Sequence, residues 1–260
     1  MVKSDSITKI AITGNTLLTL KSIQKICQKL NNHYNIVGVF GINEQEMQNK
    51  VNSVCLKEIC QLNGIYLDQS GNWDNFHSFC DFENIDLIIC LGDSRIVPNN
   101  IVEKFKVIGN HGAILPSVHG GASLVWGRMF NTGEWGISIM EIGKEIDSGV
   151  VLKVKKIYYD KDITQERFVE ICDDTTVDAL MEVLEGNYEK KVNSGWNIRI
   201  KKHTDSLKAI KVLNFCLKNN LNIYLPSRTP EDSQISDLWH NEFVETFKIA
   251  NDYPYPRWRK

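Results

Sequence analysis

The chain has 260 residues, 42% of them hydrophobic and 24% charged, an ordinary soluble composition with enough length to bury one large core. A formal charge of −2 lacks the basic excess of a nucleic-acid platform, so nucleic acid is not an expected partner. No apolar stretch nears the ~20 residues needed to cross a bilayer, and the opening MVKSDSITK does not read as a signal peptide. A cytoplasmic location without a membrane partner is expected. Cys27, Cys55, Cys60, Cys80, Cys90, Cys172 and Cys216 form no C-x-x-C pair and read as buried free thiols of a reducing compartment.

In chain order, residues 8–12 (TKIAI) are a β-rich run closed by Gly14. Residues 17–30 carry apolar side chains at helical spacing: Leu17, Leu18, Leu20, Ile23, Ile26 and Cys27. Residues 35–40 (NIVGVF) predict a second strand, 54–62 a helix and 64–67 a short third strand. Residues 85–91 (IDLIICL) are apolar without a break from Leu87 on, the pattern of a strand covered on both faces, and 106–108 form another. Such alternation predicts an α/β fold with a Rossmann-like, doubly wound, mostly parallel sheet.

Further on, 123–131 predict a helix, 135–140 a strand, 150–158 an edge or hairpin strand, and 164–184 a long helix with Thr164 as N-cap. From about residue 195 the chain turns basic, with one helix expected within 197–220. A Pro-bearing stretch (LPSRTPEDSQI), a final helix at 241–249 and the stop DYPYP follow. The expected division is a main domain, 1–195, and a smaller C-terminal extension, 196–260, packed on it.

In open parallel sheets, ligands bind beyond the carboxyl ends of the strands. Residues 92–95 (GDSR) and 109–111 (GNH) leave two such ends, which places Asn110 and His111 in one crevice. With Asp147, segment 109–149 holds an amide, an imidazole and a carboxylate in a stretch otherwise short of charge. That is the inventory for moving a proton while holding a developing oxyanion. The early turn ITGNT lacks G-x-G-x-x-G, so dinucleotide binding is not expected. His111 and His119 have no nearby Cys or carboxylate cluster, so no metal is expected. His119 by itself reads as a structural residue, and Asp147 as a turn-forming one.

The run His111-Gly112-Ala113-Ile114-Leu115-Pro116, then Gly120, Trp126, Gly133, Gly136 and Asp147-Ser148-Gly149, resembles the core of the folate-dependent formyltransferases. There an Asn-x-His-x-(Ser/Gly)-(Leu/Ile)-Leu-Pro element precedes a D-x-G element, and the His111 to Asp147 separation matches without gaps. Residues 91–98 (LGDSRIVP) resemble the loop that cradles the pterin of the formyl donor. Residues 228–235 (RTPEDSQI) with Tyr253-Pro254-Tyr255-Pro256 resemble the closing segment of the sugar-modifying branch. One departure concerns the catalytic amide: that family keeps its Asn two residues before the His, where this chain has Gly109, while Asn110 precedes His111 directly. Ser123 also stands where Pro is common.

The resemblance implies formyl transfer from N10-formyltetrahydrofolate to a primary amine, with no metal. It implies catalytic roles for Asn110, His111 and Asp147, and a donor site at Leu91, Gly92, Asp93, Ser94, Arg95, Ile96, Val97 and Asp147. Gly112, Pro116, Gly120 and Trp126 are the implied acceptor-binding residues. The branch it suggests acts on nucleotide-linked amino-deoxy sugars for surface polysaccharide (O-antigen) synthesis. Alternatives are a methionyl-tRNA or other small-amine formyltransferase, a formyltetrahydrofolate hydrolase, or an inactive folate-binding module. Residues 196–225 read as an insertion shaping the acceptor pocket or as a homodimer contact. Trp73, Trp196, Trp239 and Trp258 are candidates for either core packing or a base-stacking platform.

Overall fold

The computed structural model describes residues 7–48, 52–255 and 257–259. Strand and helix alternate through β1 (Thr8–Thr13), α1 (Leu17–Lys29), β2 (Tyr34–Phe40), α2 (Glu44–Met47), α3 (Lys57–Leu62), β3 (Tyr66–Asp68), α4 (Trp73–Glu83), β4 (Leu87–Cys90), α5 (Asn99–Lys104) and β5 (Val107–His111). Then come β6 (Val118–Gly120), α6 (Ser123–Phe130), β7 (Glu134–Glu141), β8 (Val151–Tyr158), α7 (Gln165–Leu184), β9 (Ile198–Arg199), α8 (Ser206–Lys218), β10 (Ile223–Leu225), a 3₁₀ turn (Pro230–Ser233) and α9 (Asn241–Ala250). The first six residues, read above for a signal peptide, and Pro256 of the terminal motif lie outside the described residues.

The main sheet has the order β3-β2-β1-β4-β5-β7-β8. Its first five strands are parallel; β7 runs antiparallel to β5, and β8 to β7. The continuously apolar β4 is explained by cover on both faces. Ile10, Ile12, Leu87, Ile89 and Ile108 pack with Ile23 and Ile26 of α1 and Phe168 and Leu180 of α7. Ala11, Ile88, Cys90 and Val107 pack on the other face with Phe76 and Cys80 of α4 and Ile101 of α5. The expected doubly wound α/β architecture is the one observed.

Thr164 caps α7 as expected, its side chain accepting the Arg167 N–H at 3.2 Å. The helix expected over 54–62 begins only at Lys57, and the strand expected over 85–91 is confined to Leu87–Cys90. Helix α4 was not anticipated; Asn72 caps it by accepting the N–H of Asp74 at 2.8 Å and of Asn75 at 3.3 Å. Of the cysteines, Cys55 is exposed and Cys27 half-buried, contrary to a uniformly buried set; the other five are buried and all are free thiols. Among the described residues no helix is long and apolar enough to cross a membrane.

Strand β10 lies between β6 and β9 in a small parallel sheet, so the C-terminal stretch joins the main body through a strand. Arg228 secures the joint. Its guanidinium lies 4.9 Å from the Trp126 ring centroid and 5.5 Å from that of Phe247. It donates to Ser206 Oγ at 3.1 Å, Asn251 Oδ1 at 3.3 Å and the Asp232 carbonyl. Burial pushes this guanidinium down to about 10.

Candidate active site

His111 ends β5 opposite Ser138 of β7. Its Nδ1 lies 3.4 Å from Asp147 Oδ1 and its Nε2 3.0 Å from the Val118 carbonyl oxygen. Asp147 comes from the β7–β8 loop in a left-handed conformation (φ 53), one that Asp tolerates better than most residues. Its Oδ2 accepts the Gly120 N–H at 2.7 Å, and its own carbonyl accepts from Asn193 Nδ2 at 2.6 Å. A Cβ at Gly149 would overlap the Glu141 carbonyl oxygen, which gives the D-x-G spacing a steric reason. Burial pushes the His111 imidazole below its ordinary range, with the Asp147 carboxylate and the Val118 carbonyl opposing the shift.

Asn110 does not join this pair. Successive side chains of a strand face opposite sides of the sheet. His111 is turned toward Asp147 and Val118, so Asn110, registered against the buried Ile139, belongs to the other face. Gly109 shares the His111 face, and a Cβ there would lie 2.7 Å from Ile142 Cδ1 and 3.0 Å from the Cys90 carbonyl oxygen. The side chain of Ile142 thus occupies the space above Gly109. The expectation that Asn110 serves beside His111 is corrected by strand alternation.

Loop 91–97 leaves β4 next to β5 in the parallel sheet, on the same edge as His111. The Leu91 carbonyl accepts from Thr19 Oγ1 at 2.7 Å. A Cβ at Gly92 (φ +70) would overlap Thr16 Oγ1, so only Gly lets the loop press onto the start of α1. The Asp93 and Arg95 side chains are engaged with each other, Nε to Oδ1 at 2.9 Å and Nη2 to Oδ2 at 2.6 Å. The guanidinium also lies 4.8 Å from the Trp73 ring centroid and donates to the Gly71 carbonyl at 3.2 Å. The charges therefore brace the loop. Ser94 and Ile96 are exposed and Val97 is buried. The main-chain groups of Ile96 and Val97 make no main-chain hydrogen bond among the described residues.

The acceptor candidates divide. The Gly120 N–H bonds Asp147, and a Cβ at that residue (φ +99) would overlap the Leu225 carbonyl oxygen. Gly112 packs against Ser123, whose Oγ would lie 2.7 Å from a Cβ there. Pro116 is half-buried just before β6. Trp126 is a correction: it is 1% exposed, donates its indole N–H to the Pro226 carbonyl at 2.9 Å, and packs in the joint with the C-terminal stretch rather than facing a ligand. Sequence reasoning passed over Asn193 and underrated His119. His119 is buried in β6 beside the His111–Asp147 pair, with neither ring nitrogen hydrogen-bonded. The glycines on its C-terminal side were the available signal. No three His, Cys, Asp or Glu side chains gather into a metal-binding group among the described residues.

The formyl transferase family profile matches residues 9–184. A methionyl-tRNA formyltransferase of Finegoldia magna is 25% identical over 190 residues, 72% of this chain and 61% of that protein. Against three such curated relatives, the matched region spans 55% to 61% of their length. The solved methionyl-tRNA formyltransferase from Clostridium thermocellum has a TM-score of 0.64 at 18% identity, covering 96% of this chain and 86% of that one. The N-formyltransferase from Helicobacter canadensis, solved with folinic acid and dTDP-3-aminofucose, has a TM-score of 0.63 at 15% identity, covering 94% and 80%. Both share the fold. The profile runs through the whole main sheet, from β1 to the end of α7, and takes in His111 and Asp147 alike; the chain belongs to the formyl transferase family.

Proposed function

We propose that this protein transfers a formyl group from N10-formyltetrahydrofolate to a primary amine borne by a nucleotide-linked amino-deoxy sugar, for surface polysaccharide synthesis. The observation that carries the reading is the His111–Asp147 pair, at the sheet's carboxyl edge beside loop 91–97. The residues present fit the donor: the main-chain groups of Ile96 and Val97, which bond no other main-chain group among the described residues, lie on a loop braced by Asp93–Arg95 and could pair with a pterin's flat donor and acceptor edge. When bound, the donor supplies an activated formyl carbon. Amine attack there places negative charge on oxygen and leaves a surplus proton on nitrogen. His111, oriented by Asp147 and the Val118 carbonyl, is the imidazole placed to meet the first demand. Gly109 has no side-chain amide to offer it.

Two points support a sugar nucleotide. The chain is slightly acidic, and the RTPEDSQI segment, which resembles the closing segment of the sugar-modifying branch, is built into the joint through Arg228. We read residues 1–195 as the catalytic unit and 196–260 as an extension that shapes the acceptor side. A methionyl-tRNA acceptor is the second reading, favoured by the names of the curated relatives. The test is mass spectrometry after incubation with formyltetrahydrofolate and a panel of nucleotide amino sugars, with methionyl-tRNA alongside. A gain of one formyl mass on a sugar nucleotide is expected. Formylation of methionyl-tRNA alone overturns the acceptor, and no product on any amine overturns the transfer.

A further inference from the structure

The His111 ring has no nitrogen to spare, since both face acceptors of the chain, Asp147 Oδ1 and the Val118 carbonyl. His119 is the reverse case. It is 1% exposed, and neither ring nitrogen has a hydrogen-bond partner. Leaving a buried polar group unsatisfied is costly, and native structures hold few of them.

The backbone around His119 is fastened on both edges. Toward the pair, Val118 accepts from His111 and Gly120 donates to Asp147. Toward β10, the Ser117 carbonyl accepts from the Ile223 N–H at 2.9 Å and the Gly121 N–H donates to Leu225 at 3.1 Å. The imidazole is therefore held in place one residue from each anchor of the catalytic pair. Across the small sheet His119 is registered with Tyr224, and Tyr224 with Arg199. Trp196 packs edge-on to His119 at 5.8 Å and lies 4.9 Å from Tyr224. The Arg199 guanidinium lies 4.7 Å from the Tyr224 centroid. Trp196 is 39% exposed and Arg199 is exposed, so an aromatic and cationic path runs from His119 to solvent. The sheet of β6, β9 and β10 is separate from that of β4 and β5, which carry loop 91–97 and His111.

We propose that His119 is the imidazole that meets the acceptor, hydrogen-bonding its primary amine and taking its proton, while Trp196, Tyr224 and Arg199 receive its aromatic, anionic end. This rests on the formyl-transfer reading. As the amine nitrogen bonds the formyl carbon, one of its protons passes to His119. As the bond from that carbon to N10 breaks, its electron pair stays on N10, which takes a proton; His119 is deprotonated again.

The experiment combines kinetics with ring spectroscopy. His119→Asn is expected to lower kcat on the formylated sugar nucleotide by roughly 10²-fold or more, with binding of 5-formyltetrahydrofolate unchanged. In ¹⁵N-histidine spectra of the wild-type protein, thymidine- or uridine-diphosphate amino sugars should shift the His119 ring nitrogens while leaving those of His111 in place. Arg199→Ala should weaken their binding about tenfold. A kcat within twofold of wild type, or unmoved His119 nitrogens, overturns the assignment. If His119→Asn does not fold, the wild-type spectra decide. If 5-formyltetrahydrofolate binds but no panel amine is formylated, the proposed function fails, and the His119 site is judged by the nucleotide spectra alone.

Discussion

Asp147 holds His111 and β6 at once: one carboxylate oxygen lies 3.4 Å from His111 Nδ1 and the other accepts the Gly120 N–H at 2.7 Å. Asparagine at 147 keeps an oxygen for Gly120 but loses the charge facing the imidazole. Asp147→Asn should therefore leave the fold intact and lower formyl transfer by about 10²–10³-fold, the scale set by losing one electrostatic contributor. Circular dichroism and turnover, measured together, check it. Wild-type turnover in a folded variant sinks the role.

The His111 imidazole is pushed below its ordinary range by burial. An imidazole depressed in the folded state protonates first in the unfolded chain. Stability from this group is thus full at alkaline pH, falls as pH drops below the unfolded value of ~6.5, and levels off below the lowered folded value. Urea denaturation at pH 8 and pH 5.5 should show a smaller acid loss in His111→Gln than in wild type. Equal losses in the two proteins count against a neutral buried ring.

Asp173, buried in α7, works in the opposite direction. Burial pushes its carboxyl up to about 7, with Lys21 opposing. The unfolded chain ionises it near ~3.9, so the folded state loses stability as pH rises from there to about 7, and no more above. Asp173→Asn should raise stability at pH 8, by up to about 4 kcal/mol, and change little at pH 4. A denaturation midpoint that does not move at pH 8 contradicts this.

Periodicity reads β1, α1, β2 and β4 well because each faces a continuous apolar layer. It misses β6, β9 and β10, which are two or three residues long and too short to show a period. Their geometry comes from strand partners distant in sequence, such as Ile223 beside Val118. The same non-local cause hid His119, whose environment is supplied by Trp196 and Tyr224. Asn110 is different: once Val107–His111 is a strand, alternation alone separates it from His111. Trp126 entered the acceptor set through the resemblance alone; its Pro226 and Arg228 partners lie a hundred residues away.

Restoring the family's amide at Gly109 tests how this strand is packed. A Cβ there meets Ile142 Cδ1 at 2.7 Å and the Cys90 carbonyl at 3.0 Å. Overpacking of this kind costs typically about 1–3 kcal/mol, so Gly109→Asn alone should lower stability by that amount. Adding Ile142→Ala should recover part of it by removing the nearer contact. Additive losses in the double variant, read from urea denaturation, show that Ile142 does not limit the site.

Arg228 ties the C-terminal stretch to the main body through Ser206, Asn251 and the Asp232 carbonyl while covering Trp126 and Phe247. Methionine retains much of the apolar stem's packing but leaves those buried acceptors without their donor. Arg228→Met should therefore destabilise the protein by about 2–4 kcal/mol, as expected for unpaired buried polar groups. The loss should fall first on the joint, because β10 enters the small sheet immediately before residue 228. Limited proteolysis is the direct reading: cleavage within 195–230 should quicken in the variant while the main sheet stays resistant. Uniform resistance at wild-type rates means that the joint is held by apolar packing of α9 on α6, with the guanidinium dispensable.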